Sequence, residues 1–65
     1  MQVWINQQLY DFPVGATLQD AIGMTNITSP FAAAINAQFV PKTQYAQTLL
    51  NDEDRIDLIV PITGG

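Results

Sequence analysis

The segment from Arg55 to Ile62 alternates without a break, with Ile56, Leu58, Val60 and Ile62 on one side and Arg55, Asp57, Ile59 and Pro61 on the other. Period-two alternation of this kind marks a strand with one face in a core, so Val60 and Ile62 are expected inward with Ile56 and Leu58. The chain also opens on an alternating stretch, Met1 to Asn6, with Val3 and Ile5 opposed to Gln2, Trp4 and Asn6. At 65 residues there is room for one domain and a small core. With no cysteine and no histidine, neither disulfides nor a Cys/His metal site can staple it.

Between these two strands the pattern changes several times. Asn6-Gln7-Gln8 suits a hairpin turn, and Leu9 to Val14 reads as a returning strand with Leu9 and Phe12 inward. Pro13 points to a sheet edge, where a missing N–H does no harm. Gly15-Ala16 breaks the strand, and Thr17-Leu18-Gln19-Asp20 has the form of a capping box. Leu18, Ala21 and Ile22 follow at helical spacing, and Gly23 is a natural stop. A helix of about two turns cannot stand alone and must lean on a sheet.

Met24 to Pro30 is a polar loop. Phe31 to Asn36 alternates, with Phe31, Ala33 and Ile35 on one side. Asn36-Ala37 looks like a tight turn before the short strand Gln38-Phe39-Val40, which Pro41 ends. Thr43 to Gln47 forms a single helical turn capped by Thr43. The order strand, strand, helix, strand, strand, short turn, strand is α+β. It matches the β-grasp or ubiquitin-like plan, a mixed sheet of four to five strands with one short helix packed on one face. In that plan the first and last strands pair in parallel at the centre, and Ile56 and Leu58 meet Val3 and Ile5 under the helix.

Six acids against Lys42 and Arg55 give a net charge of −4. Phosphate-backbone binding rests on Lys and Arg, so nucleic acid is excluded as a partner. An acidic surface suits a basic groove on a protein. No apolar run is long enough to span a bilayer, so no membrane partner is expected. The absence of cysteine and of a basic and apolar leader points to a cytoplasmic setting.

Few residues are candidates for chemistry. Asp52, Glu53 and Asp54 fall in a turn between strands and are expected to be solvated; they lack the EF-hand pattern. Without histidine no Ser-His-Asp triad can form, and Lys42 lacks the glycines of a phosphate loop. No catalytic residue and no metal ligand is therefore assigned. Trp4 and Ile59 are both expected on the sheet face away from the helix. If their strands are neighbours they lie close together, with Ala34 and Phe39 extending the surface, and Trp is favoured at docking hot spots. The remaining feature is Gly64-Gly65. Lacking side chains, it can enter a narrow channel, and its carboxylate is ionised and open to activation. From Ile62 an extended tail reaches roughly 10 Å.

Ala34-Ile35-Asn36, Phe39-Val40-Pro41-Lys42, Tyr45-Ala46-Gln47-Thr48-Leu49-Leu50 and Asp54-Arg55-Ile56 through Gly64-Gly65 together resemble the ThiS family of thiamine-biosynthesis sulfur carriers. The resemblance is specific over residues 34–65 and looser before them. Glu53 departs from it, since many relatives have glycine in the acidic turn. The resemblance implies a carrier, not an enzyme: a single domain over 1–65 with a flexible tail at 63–65. It implies that an E1-like adenylyltransferase (ThiF-like) uses ATP to adenylate Gly65. Sulfur then replaces the adenylate as a thiocarboxylate, which thiazole synthase (ThiG-like) consumes. No cofactor is bound by the carrier itself. Gly64 and Thr63 would carry Gly65 into the channel, and Trp4, Ile59, Pro61 and Ile62 would meet the partner. The small subunit of molybdopterin synthase, typically longer, shares this fold, tail and chemistry. A β-grasp binding module without chemistry is the alternative of another class.

Overall fold

The computed structural model describes residues 1–61. Strands β1 (Gln2–Ile5) and β2 (Gln8–Asp11) form a hairpin, helix α1 (Leu18–Gly23) crosses, and β3 (Ala32–Ile35) and β4 (Gln38–Val40) form a second hairpin. A 3₁₀ segment, Lys42–Gln47, leads back to β5 (Arg55–Ile59). The sheet order is β2-β1-β5-β3-β4. β5 runs parallel to β1, with Ile5 level with Ile56, and antiparallel to β3, with Ile35 level with the same residue. This is the expected β-grasp arrangement.

The core lies between the sheet and α1. Val3, Ile5, Ile56 and Leu58 face it from the central strands, and Leu18, Ala21 and Ile22 face it from the helix. The capping box forms as the sequence predicts. The Asp20 N–H donates to Thr17 Oγ1 (3.3 Å), and the Thr17 N–H donates to Asp20 Oδ2 (2.9 Å). The helix ends at Gly23, but not through a left-handed glycine. Met24 follows in αR, and its N–H donates to the Ala21 carbonyl (3.2 Å). Across from the helix, Tyr45 is buried and stacks on Phe31 at 6.0 Å between ring centroids. The Leu18 N–H donates to the Thr48 carbonyl (2.8 Å) and that of Leu50 to the Ala16 carbonyl (2.9 Å), tying the stretch after the 3₁₀ segment to the entry of α1.

Three expectations fail here. β2 stops at Asp11, and Leu9 points outward, 47 % exposed, opposite Trp4, while Phe12 is buried. Leu9 and Phe12 are three apart, and a strand cannot turn both inward. The two-residue turn Asn6-Gln7 decides which side wins. Thr43 does not cap the 3₁₀ segment. That segment starts one residue earlier, and the Pro41 carbonyl accepts from the Gln44 N–H (2.9 Å). Val60 keeps the alternation of β5 but lies past its end and is 49 % exposed.

Both hairpins turn on the same tetrapeptide form, Ile5-Asn6-Gln7-Gln8 and Ile35-Asn36-Ala37-Gln38. In each, the two central residues are left-handed: Asn6 at φ 48° and Gln7 at 71°, Asn36 at 50° and Ala37 at 70°. Two positive φ values in a two-residue loop match the right-handed twist of the strands. Gln7 and Ala37 adopt the geometry without the glycine that usually fills the second position.

Candidate functional site

β5 is central, so the chain reaches its end directly from the most supported strand. Ile56 and Leu58 anchor it in the core while Arg55, Asp57 and Ile59 face out. Asn6 extends the hold beyond the end of β1. Its N–H donates to the Ile56 carbonyl (2.9 Å), its Oδ1 accepts from the Leu58 N–H (2.9 Å), and its Nδ2 donates to the Leu58 carbonyl (3.4 Å). The side-chain amide thus replaces a missing backbone unit one residue before the last residue of β5. Gly65, Gly64, Thr63 and Ile62, the residues read from the sequence as the reactive carboxyl, its tail and part of the docking set, lie outside the described residues.

The face away from α1 is open. Leu9, Trp4 and Arg55 share one row across β2, β1 and β5. Phe39, Ala34 and Asp57 share the next across β4, β3 and β5, and Ala32 and Ile59 a third. Phe39 is 69 % and Ile59 58 % exposed. Trp4 and Ile59 do share this face, but they do not touch as neighbours. Trp4 is level with Arg55, so Ile59 stands four residues further along, about 13 Å away at the usual rise of a strand. The β1–β5 register depends on where the Asn51–Asp54 turn delivers β5, which alternation alone does not show. Pro61 is exposed.

In the acidic turn Asp52 and Glu53 are exposed as expected, but Asp54 is not solvated. Asp54 is 7 % exposed, and its two carboxylate oxygens accept from Asn36 Nδ2 (2.9 Å) and the Asn51 N–H (2.7 Å). Asp52 Oδ1 accepts from the Gln2 N–H (2.7 Å), and the Glu53 N–H donates to the Gln2 carbonyl. Glu53 sits at φ 68°, a left-handed position that explains why glycine is at home there. The Asp52 and Asp54 carboxylates are engaged in building the turn, whereas Glu53 contributes its backbone N–H and leaves its carboxylate exposed. Among the described residues no group of three His, Cys, Asp or Glu side chains is placed to hold a metal ion. An open groove of about 400 Å³ between the end of β2 and α1 is lined by Phe12, Val14, Ala16 and Met24. Its one ionisable side chain, Asp20, is bonded to Thr17.

The residues missed in the sequence are Asn6, Asn36 and Asp54, which fasten β5 at both ends. The recurrence of Ile-Asn-x-Gln would have pointed to the first two. What the geometry defines is a small β-grasp domain with an open sheet face and a central last strand, followed in the sequence by Gly64-Gly65. That is the build of a protein-borne carrier. The chain belongs to the ThiS family, whose sequence model matches residues 3–65. It is 36% identical to the sulfur carrier protein ThiS of Escherichia coli over 66 aligned positions, covering all of both chains. It is 32% identical to a thiazole synthase of Paramagnetospirillum magneticum over all of this chain but only 20% of that protein. The crystal structure of the thiamine biosynthesis protein ThiS from Geobacter metallireducens has the same fold, with a TM-score of 0.80 at 12% identity and full coverage of both chains.

Proposed function

We propose that this chain carries sulfur as a thiocarboxylate on Gly65 and delivers it to a thiazole synthase in thiamine formation. The observation that carries this is the family match, which runs through Gly65 itself and extends end to end in the Escherichia coli carrier. The Paramagnetospirillum thiazole synthase, a fifth of which aligns with this whole chain, supports that enzyme class as the recipient.

The chemistry needs two steps. A carboxylate is a poor acyl donor, so an adenylating enzyme must first use ATP: a Gly65 oxygen attacks the α-phosphorus and pyrophosphate leaves. Hydrosulfide then attacks the acyl carbon, AMP leaves, and loss of the sulfur-bound proton gives the thiocarboxylate. Gly64 and Thr63 supply a slender approach to the active site, since glycine adds no side chain to clash. The open face with Trp4 and Ile59, together with Pro61 and Ile62 that follow β5 in the sequence, docks the enzyme in a cytoplasmic setting. Incubation with the cognate adenylating enzyme, ATP and a sulfur donor should raise the intact mass by sulfur in place of one oxygen. Deletion of Gly65 should abolish that gain. An unchanged mass, or a gain that survives the deletion, overturns the reading.

A further inference from the structure

Arg55 occupies a singular place on the open face. Its guanidinium carbon lies 5.5 Å from the centroid of the Trp4 ring, within cation–π range. The chain has six side-chain carboxylates, yet among the described residues the one salt bridge is that of the N-terminal ammonium with Asp11. Asp57, two residues along β5 on the same face, forms none with Arg55. The Arg55 backbone N–H is taken by Asn36, and its side chain is exposed. The guanidinium therefore lies over the ring within cation–π range, while no carboxylate among the described residues takes its N–H groups, which stay open to a ligand. Such a fork matches a carboxylate with two parallel hydrogen bonds.

The rest of the surface says what should sit opposite. A chain of net charge −4 favours a basic partner surface, and a basic surface repels an isolated arginine. The contact is complementary only if the partner sets an acid at that one spot. A positive charge set on a mainly acidic surface fixes register and rejects wrong docking poses. We propose that the Arg55–Trp4 pair is an anchor for a carboxylate side chain of the thiazole synthase, at the end of the open face remote from Ile59. This rests on the reading of the open face as the docking surface.

The test is binding of the full chain to the cognate thiazole synthase by calorimetry, with folding of each variant checked by circular dichroism. Arg55→Gln should weaken binding about tenfold, and Arg55→Glu more, because like charges then meet. Arg55→Gln binding within twofold of wild type, or Arg55→Glu binding more tightly than wild type, overturns the anchor. Ile59→Asp separates this from the docking reading. If Ile59→Asp abolishes binding while Arg55→Gln leaves it intact, the anchor alone falls. If wild type does not bind, or Ile59→Asp binds as wild type does, the docking face falls and the anchor with it.

Discussion

The two hairpins share a tetrapeptide form and a left-handed turn, and they flank the same strand, but they do different jobs. β1 runs with β5, so Asn6 lies ahead of the pairing and its amide reaches forward to Leu58. β3 runs against β5, so Asn36 lies behind the pairing. Its Oδ1 accepts from the Arg55 N–H (3.0 Å), its N–H donates to the Arg55 carbonyl (2.7 Å), and its Nδ2 donates to Asp54. One turn secures the exit of β5 and the other its entrance. Strand direction, not the local motif, assigns the role. The hairpins also differ in depth: β1 buries Val3 and Ile5 almost completely, whereas β3 fully buries only Ala33, and Ile35 is half-buried.

That difference in depth should dominate stability. Ile5→Ala is expected to cost about 2–5 kcal/mol in urea unfolding, as for a buried aliphatic residue, and Ile35→Ala clearly less. Equal losses would mean that the second hairpin is as deep in the core as the first. Next in size come the asparagines. Asn36→Ala leaves a buried carboxylate with one partner fewer and should cost about 2–3 kcal/mol, against about 1–2 for Asn6→Ala. The reverse ranking would give the exit of β5 the greater share of the energy. The smallest effect concerns the turns alone. Left-handed geometry costs an ordinary L-residue about 1–2 kcal/mol, part of which glycine gives back as unfolded-chain entropy. Gln7→Gly and Ala37→Gly should each raise stability by about 0.5 kcal/mol, and by similar amounts. A gain in one hairpin only would show that the two turns are not equivalent after all.

What could be read from the sequence followed periodicity and local chemistry. Val3 and Ile5, Ile56 and Leu58, the Thr17–Asp20 box and the turn at Asn36-Ala37 all depend on residues within a few positions of each other. What could not be read depended on distant partners. Asp54 is buried because Asn36, eighteen residues earlier, meets its carboxylate. Trp4 meets Arg55 rather than Ile59 because a parallel register is set by the turn that delivers β5. Leu9 was misread as inward together with Phe12, because the register that pairs it with Trp4 on the open face is set by the length of the first turn. On the site, Gly64-Gly65 lies outside the described residues, and in the acidic turn the misjudged residue is Asp54, which is buried and serves the fold, while Asp52 and Glu53 are exposed as expected.

The parallel pairing of β1 with β5 also has a mechanical side. A pull between Gln2 and Ile59 draws these two strands past one another along their length, so every bond between them resists together. An antiparallel pair loaded from one end would instead unzip one bond at a time. Asn6 lengthens this clamp by the two bonds to Leu58, placed where a load from the far end of β5 arrives first. An enzyme that draws on β5 from beyond Ile59 would therefore meet a stiff handle.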